Sequence, residues 1–348
     1  MSNTTITDGH QTPRIEFIDA MRGLIMVLVV CYHVALYCFH TPNNVASVHP
    51  YLMQMLMPLF FFISGFVFYR AGTAWGWRQT TRFLSKKIPV LVVAPLLFFV
   101  VFVYIQDLSW TASIGDHYKK GYWFTLVLFE YYLFYIAIRC IFRNGKAGDA
   151  ILILTGLVLY FIDWSYVPIP GNIQGALCMP NWNKFLFFVL GALARKNDAW
   201  FGQLLDTKWA LAVCILYYFL MNAFLDAIQS EQLYCVIRLG LSLTAIAIMF
   251  AFFRKKQPIF SKGTVMGDTL QYIGRRTLDV YLIHYFLVPR NLSFVTVFTD
   301  HPMPVVEATV SMLIAVVIVA ACLLIGNIFR LSPLLAQWLF GAQYPSTK

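Results

Sequence analysis

The chain has 348 residues, of which 59% are hydrophobic and 12% are charged, about half the charged fraction of an ordinary soluble domain. This composition excludes a soluble globular protein and indicates one that crosses a membrane several times. The formal net charge of +10 is typical of nucleic-acid-binding proteins too, but the basic residues concentrate in alternate loops between apolar segments, as in cytoplasmic loops of membrane proteins. We therefore expect contact with membrane lipids and no nucleic-acid partner.

Ten apolar segments follow one another along the chain. They cover residues 17–39, 51–69, 88–106, 122–142, 149–163, 184–195, 208–226, 232–253, 277–298 and 305–329. A span needs about 20 apolar residues, so the sixth segment is too short by itself. The ninth segment is interrupted at Pro289-Arg290. The sequence predicts an all-α integral membrane protein with about ten transmembrane helices.

The charge pattern also predicts the topology. The polar residues 1–13 carry no signal-peptide pattern, so we expect a cytoplasmic tail there, a single membrane domain over 14–330 and an interfacial amphipathic tail over 331–348. With both termini cytoplasmic, all but five of the 26 Lys and Arg residues fall on the cytoplasmic side. The five exceptions are Lys119, Lys120, Lys184, Arg238 and Arg290.

The first apolar segment contains Arg22 and His33, with Asp19 one turn before Arg22. Eleven helical steps place Arg22 and His33 on one face, about 16 Å apart along the axis. Ionisable residues in a membrane helix usually face the bundle interior and have a task there. His33 is a candidate base for a hydroxyl group, because imidazole titrates near neutral pH. A structural histidine and a structural Asp19–Arg22 ion pair are the alternatives.

Later segments add further candidates for a polar core. Glu130 lies well inside the fourth segment, where it could orient a histidine or pair with an arginine, and His284 follows Asp279 in the ninth. Ser64 and Trp123 complete the set, although packing alone explains Ser64-Gly65. The sequence contains no His/Cys cluster with metal-ligand spacing, so we expect no metal.

These motifs together resemble membrane acyltransferase family 3. The stretch from Arg14 to His33 is similar to the family's first helix, whose signature is a basic residue, ten intervening residues and a histidine. Four later stretches resemble further landmarks of the family: Met57–Phe66, Tyr122-Trp123-Phe124, Tyr281–His284 and Trp338–Gly341. The resemblance covers about residues 14–341.

The resemblance implies a membrane O-acyltransferase, expected to be an acetyl-CoA-dependent O-acetyltransferase. It implies transfer of an acyl group, expected to be acetyl, from cytoplasmic acyl-CoA to a hydroxyl of an envelope carbohydrate or glycolipid. The expected location is a bacterial inner membrane, where such a protein modifies polysaccharide. His33 matches the family's catalytic histidine and Arg22 its essential basic companion.

One stretch departs from the family pattern. Relatives often carry Arg-x-x-Arg after the second helix, whereas here Phe83-Leu-Ser-Lys-Lys-Ile-Pro-Val90 places Val90 at the second arginine position. Positive charge near this stretch comes from Arg78, Arg82, Lys86 and Lys87. We expect these four residues to attract the phosphates of acetyl-CoA, the lysines acting as point charges.

Two other classes of protein remain open from the residues alone. A transporter or flippase would use the Arg22–His33 track to conduct protons or substrate. A membrane-embedded assembly partner would use the same residues for complex formation. Neither alternative requires a thioester donor.

Overall fold

The computed structural model describes residues 15–39, 49–143, 145–290 and 303–341. All regular structure in these ranges is helical. The longer helices are α1 (Glu16–Cys38), α2 (His49–Phe68), α3 (Trp77–Ile88), α4 (Ala94–Ile105), α5 (Trp110–Gly115), α6 (Trp123–Phe142), α7 (Lys146–Phe161), α8 (Gly171–Ala176), α9 (Phe185–Lys196), α10 (Asp198–Asp206), α11 (Lys208–Phe224), α12 (Glu231–Lys255), α13 (Gln257–Phe260), α14 (Val265–Arg275), α15 (Thr277–Leu287), α16 (Pro304–Phe329) and α17 (Pro333–Phe340).

Each of the ten predicted apolar segments contains a helix, although α15 covers only the first eleven residues of the ninth segment. The predicted number of spans is not confirmed. Among the described residues, six helical stretches are long and apolar enough to cross a membrane: α1, α2, the joined α3–α4 stretch, α6, α12 and α16. A seventh is added if α10 and α11, bent by 75°, form one span. Helices α7 and α9 have 16 and 12 residues, so they extend only about 24 and 18 Å, less than the apolar thickness of a bilayer.

The ends of the chain are only partly described. The predicted tail over residues 1–13 lies outside the described residues, and so do residues 291–302 of the interrupted ninth segment and its following loop. In the predicted interfacial tail, α17 begins at a Ser332 side chain that accepts a hydrogen bond from the backbone N–H of Leu335. Its apolar residues Leu339 and Phe340 are buried against the rest of the protein.

A π-helical turn at Pro89–Val93 joins α3 to α4 into one stretch of 29 residues. The backbone N–H of Ala94 donates to the carbonyl of Pro89, the i→i+5 bond that defines this turn. Proline disrupts the ordinary α-helical pattern because it has no N–H and its ring crowds the preceding turn. The wider π-helical turn accommodates Pro89, so the helical stretch continues through this residue. Its basic residues lie in α3 and its apolar residues in α4.

Helix α1 lies at the centre of the bundle, and more than half of its 23 residues are buried. It packs against α2, α14, α15 and α16. At Gly23 of α1 and Gly274 of α14, an added Cβ atom would collide with a backbone carbonyl of the facing helix. Gly65 of α2 and Gly191 of α9 form a second pair of the same kind. Small residues let membrane helices approach closely, so these two pairs set the spacing of the bundle.

A buried carboxylate holds α15 against α16. Asp279, 1% exposed, accepts hydrogen bonds from Arg330 Nη2 at 2.6 Å and Arg330 Nε at 2.9 Å. Arg276 Nη1 also approaches the same carboxylate at 3.4 Å. Asp279, which the sequence places in the same apolar segment as His284, is therefore neutralised at the base of α15 by two arginines.

The glycine contacts generate a testable prediction. We expect Gly65→Ala to lower the midpoint of thermal unfolding in detergent, because the new methyl group must push α2 away from α9, at a cost of about 1–3 kcal/mol. Gly171→Ala is the matched control, since Gly171 has open space around its Cβ position. Equal midpoints for the two variants would show that close approach at Gly65 does not set the spacing of α2 and α9.

Candidate active site

A cavity of about 1850 Å³ follows α1 through the bundle. Arg22 and Tyr37 both line it, and the 15 helical steps between them correspond to about 22 Å. The cavity lining includes the exposed Arg82 and Lys86 at one end and the exposed Tyr118 at the other. We call these ends the basic mouth, lined by Arg70, Arg82, Lys86 and Lys87, and the loop mouth, lined by Asp116, Tyr118, Lys120, Lys184, Arg238 and Arg290.

Two histidines meet on the wall of this cavity between the mouths. His33 Nδ1 lies 3.2 Å from His284 Nε2, and His33 Nε2 lies 2.9 Å from the Tyr285 hydroxyl. The two imidazole rings are stacked, with centroids 5.2 Å apart. His284 is fully buried, and its Nδ1 lies 2.8 Å from the backbone carbonyl of Val280. Helices α1 and α15 thus bring together residues that are 251 positions apart.

The hydrogen bonds assign the tautomers of both histidines when the rings are neutral. The Val280 carbonyl only accepts, so His284 carries its proton on Nδ1 and accepts at Nε2. His33 must then donate from Nδ1, which leaves His33 Nε2 as the acceptor for the Tyr285 hydroxyl. The result is an unprotonated ring nitrogen held at the cavity wall, the arrangement required of a general base.

Arg22 lines the cavity between His33 and the basic mouth. Its Nη2 donates to the Thr277 hydroxyl at 3.1 Å, and its Nη1 lies 3.9 Å from Asp19. The predicted common face of Arg22 and His33 is found, because both side chains line the same cavity. Asp19 is absent from that lining and borders a smaller pocket instead. About a third of the Arg22 side chain remains exposed, so it can contact a ligand in the cavity.

The basic mouth contains three of the four predicted donor-binding residues: Arg82, Lys86 and Lys87. The fourth, Arg78, is exposed and does not line the cavity. At 100° per residue, Arg82, Lys86 and Lys87 span an arc of about 140° on α3, and Arg78 lies about 40° beyond the Arg82 edge of this arc. Arg70, which follows α2, lines the mouth in addition. Val90, at the position where the family pattern has arginine, lines it too.

Glu130 lies apart from the cavity. The prediction placed it beside a histidine or an arginine, but its carboxylate accepts a hydrogen bond from Trp182 Nε1 at 2.6 Å and does not line the cavity. The side chain points from α6 toward the connection before α9, and the cavity lies on the other side of α6 with Leu128 and Tyr132. Helical periodicity alone could not say which side of α6 faces the cavity.

The other two predicted core residues line the cavity. Ser64 donates its hydroxyl hydrogen to the Phe60 carbonyl of its own helix at 2.8 Å, which satisfies the group without a ligand. Trp123 is buried, and the Lys184 ammonium lies 5.2 Å from the centroid of its ring. This distance is within the range of a cation–π contact, so Trp123 belongs to the wall near the loop mouth.

The loop mouth is held in shape by Lys119, which is 4% exposed. Its ammonium donates to the backbone carbonyls of Ile114, Asp116 and Gly175 at 2.6, 3.0 and 2.6 Å. These bonds tie the loop after α5 to the end of α8. A buried ammonium is stable only when its donors are satisfied, so Lys119 fixes both loops.

Two neighbouring groups define the charge at the loop mouth. Burial raises the pKa of Asp116, but hydrogen bonds from the N–H groups of Tyr118 and Lys120 and the nearby Lys120 ammonium bring the pKa below its usual value. Asp116 is therefore ionised at neutral pH. Burial lowers the pKa of His117 despite the charge of Asp116, so His117 is neutral there.

Sequence reasoning missed three residues of the cavity: Tyr285, Arg238 and Arg290. Tyr285 directly follows His284, and its ring centroid lies 4.8 Å from that of His33. Arg238 and Arg290 were noticed only as exceptions to the charge rule. Their status as exceptions was the signal in the sequence that could have identified Arg238 and Arg290, because the positive-inside rule does not account for a cation on the non-cytoplasmic side. Within the described residues, no group of three or more His, Cys, Asp or Glu side chains is placed to hold a metal ion.

The position of Glu130 generates a prediction. Glu130→Ala should lower the thermal stability of the detergent-solubilised protein, because Trp182 Nε1 loses its acceptor, at a cost of about 1–3 kcal/mol. Glu130→Gln retains a side-chain acceptor and should restore most of the lost stability. Unfolding midpoints measured side by side test this. Failure of the glutamine variant to exceed the alanine variant would contradict a role based on this hydrogen bond.

The sequence matches one family of known proteins. The model of the family Acyl_transf_3, described as an acyltransferase domain, matches residues 15–326. A search of curated proteins and a search of solved structures found no match. The family match covers most of the chain and includes both His33 and His284. The chain therefore belongs to acyltransferase family 3 and is a membrane acyltransferase.

Proposed function

We propose that the protein is an O-acyltransferase of a bacterial inner membrane that modifies an envelope polysaccharide. It takes an acyl group, acetyl being the first candidate, from cytoplasmic acyl-CoA and transfers it to a hydroxyl of a carbohydrate or glycolipid. The observation that supports this most directly is the unprotonated His33 Nε2, held by His284 on the wall of a cavity with two mouths. Donor and acceptor can approach this nitrogen from opposite sides.

The basic mouth suits the donor. Coenzyme A carries several phosphate charges at one end of a long, thin arm and the thioester at the other. Arg70, Arg82, Lys86 and Lys87 surround the entrance, and the cavity lining has no carboxylate at this end among the described residues. Positive charge in a cleft with apolar walls concentrates anionic ligands there. Arg22 lies farther in, on the route from the phosphates to His33.

The proposed chemistry uses His33 as a general base. The acceptor hydroxyl takes the place of the Tyr285 hydroxyl at His33 Nε2 and gives up its proton as its oxygen attacks the thioester carbon. A C–O ester bond forms, the C–S bond breaks, and the proton returns from His33 Nε2 to the leaving sulfur. His284 keeps the ring of His33 oriented throughout, as the orienting partner of a catalytic histidine does. A route in which His33 Nε2 itself carries the acyl group would use the same nitrogen.

Membership of the family favours this reaction over transport. A transporter would also use a cavity with access from two sides. It would not need a thioester, however, and its turnover would respond to an ion gradient. Measuring consumption of acyl-CoA by the purified protein therefore separates the two functions.

The first prediction from this proposal concerns His33. We expect His33→Ala to reduce acyl transfer by about 10²–10⁴-fold, the usual contribution of a positioned general base. The measurement is release of free CoA thiol from acetyl-CoA by wild-type and variant protein in detergent, with an unfolding midpoint recorded for each sample. Full activity in a folded His33→Ala protein would rule out this role.

His117→Gln serves as the matched control. His117 is another histidine of the described region, and its ring does not line the cavity. We expect this variant to retain activity within about threefold of wild type, because the half-buried ring lies beside the loop mouth and outside the cavity lining, so that its replacement acts mainly on stability. Equal losses in both variants would point to a general effect of replacing histidine.

The second prediction concerns the basic mouth. Arg82→Gln and Lys86→Gln should each raise the KM for acetyl-CoA roughly 3- to 10-fold, because each removes about 1 kcal/mol of attraction between partly solvated charges. Turnover at saturating donor should change little. The effect should shrink at high ionic strength, because salt screens exposed charges.

Arg78→Gln is the matched control for these variants. It removes the same kind of charge from the same helix, at a position that does not line the cavity. We expect its KM to stay near the wild-type value in a titration with acetyl-CoA. An increase equal to that of Arg82→Gln would mean that α3 attracts the donor through its total charge rather than through the mouth.

A further inference from the structure

Four basic residues line the loop mouth of the cavity: Lys120, Lys184, Arg238 and Arg290. They are four of the five basic residues that the charge rule leaves on the non-cytoplasmic side. The fifth, Lys119, is the buried residue that fixes the two loops. The only carboxylate among the described residues of the cavity lining is Asp116. The exceptions to the topology rule thus converge on one place.

Arg290 is oriented by neutral partners. Its Nη1 donates to the side-chain oxygen of Gln106 at 2.8 Å. Its guanidinium carbon lies 5.9 Å from the ring centroid of Tyr37 and 5.1 Å from that of Phe102. These contacts fix the direction of the guanidinium group without neutralising it. The remaining N–H groups of Arg290 can serve an anion in the cavity.

Arg238 and Lys184 are held in the same manner. Arg238 Nε donates to the side-chain oxygen of Gln54 at 3.1 Å, and its guanidinium carbon lies 5.5 Å from the ring centroid of Tyr234. Lys184 Nζ donates to the amide oxygens of two asparagines, Asn181 and Asn183, at 3.3 and 3.0 Å. Both residues therefore have fixed positions with neutral hydrogen-bond partners.

Of the four basic residues at the loop mouth, Lys120 alone forms an ion pair with a carboxylate among the described residues. Its Nζ lies 3.3 Å from Asp116 Oδ2. Several cations around one cavity repel one another and are partly removed from water, which is unfavourable unless an opposite charge arrives. A ligand that carries negative charge would supply it.

The cations lie close to the site of the proposed transfer. The ring of Tyr37, which Arg290 covers, stacks on the ring of His33 with centroids 6.0 Å apart. An anion bound at Arg290 is therefore one side-chain layer away from His33. The aromatic side chains of Tyr37, Tyr118 and Trp123 line the same part of the cavity, and flat rings of this kind pack well against sugars.

We propose that the loop mouth binds an anionic acceptor, a glycan whose sugars or lipid carrier bear carboxylate or phosphate groups. This inference rests on the proposed function and specifies its acceptor. The four basic residues come from separate parts of the fold: the loop before α6, the residue before α9, α12 and the segment that follows α15. A short dicarboxylic acyl group would present one negative charge to one of them, whereas an acidic glycan presents charges along its length.

The test measures binding without acyl-CoA, so that it does not depend on turnover. Wild-type protein in nanodiscs of zwitterionic lipid is titrated with fluorescent oligosaccharides of equal length that are neutral, carboxylated or phosphorylated. We expect at least one acidic series to bind at least tenfold more tightly than the neutral one, with an affinity that falls as salt increases. Comparing the carboxylated and phosphorylated series identifies the anion.

Two matched variants assign the effect to the loop mouth. The triple variant Lys120→Gln/Arg238→Gln/Arg290→Gln should lose at least tenfold in affinity for the acidic glycan. The variant Lys208→Gln/Lys255→Gln/Lys256→Gln removes the same number of charges at exposed positions outside the cavity and should retain it. Arg290→Gln alone, with a smaller loss in the same direction, replaces the triple variant if that protein does not fold.

Four outcomes would overturn the proposal. The first is equal affinity of the wild-type protein for neutral and acidic glycans, and the second is an equal loss of affinity in the two triple variants. The third is unchanged glycan binding by the loop-mouth variant together with an altered choice between acetyl-CoA and succinyl-CoA. The third would mean that the cations contact the acyl group. The fourth, acyl transfer to a neutral glycan without any preference for acidic ones, would reject this inference and leave the proposed function standing. If the wild-type protein bound acidic glycans but transferred no acyl group from acyl-CoA, the proposed function would be rejected and the anion site at the loop mouth would stand.

Discussion

A polar group inside a membrane must find its hydrogen-bonding partners within the protein, and this constraint organises the centre of the bundle. His33 illustrates it, since both of its ring nitrogens are bonded to side chains of α15. Arg22 donates to Thr277 of the same helix, about two turns from His284 and nearer the basic mouth. Arg22 and His33 of α1 thus both bond to α15, and the cavity lies where α1 and α15 leave space between themselves and the other helices.

The remaining packing keeps this arrangement fixed. The glycine pairs bring α1 against α14 and α2 against α9 more closely than any side chain would permit. Asp279 and Arg330 join α15 to α16 through a buried ion pair. Removing one partner of such a pair is costly because the other is left as an uncompensated charge. The wall that carries His284 is therefore attached at its base, one turn and a half before the histidine itself.

The sequence was sufficient for features that depend on one helix and insufficient for those that depend on the arrangement of several. Apolar runs predicted where each helix lies, and periodicity predicted that Arg22 and His33 share a face. The meeting of His33 with His284 depends on packing across 251 residues, which no local pattern encodes. Glu130 was assigned to the core because of its depth, but its direction is set by Trp182 in a distant connection. The predicted number of spans is not confirmed, because some of the apolar segments form helices that are too short to cross a bilayer by themselves.

The hydrogen bond between His284 Nδ1 and the Val280 carbonyl determines whether a proton can pass through the histidine pair. A carbonyl oxygen accepts a hydrogen bond but cannot carry a proton onward, so the chain of imidazoles ends there. A proton taken up at His33 Nε2 has no exit through His284 and must leave by the nitrogen at which it entered. In the proposed reaction it passes to the departing sulfur on the donor's side of His33. Acyl transfer would then use the energy of the thioester alone, and this histidine pair would not connect the reaction to a proton gradient or to the membrane potential.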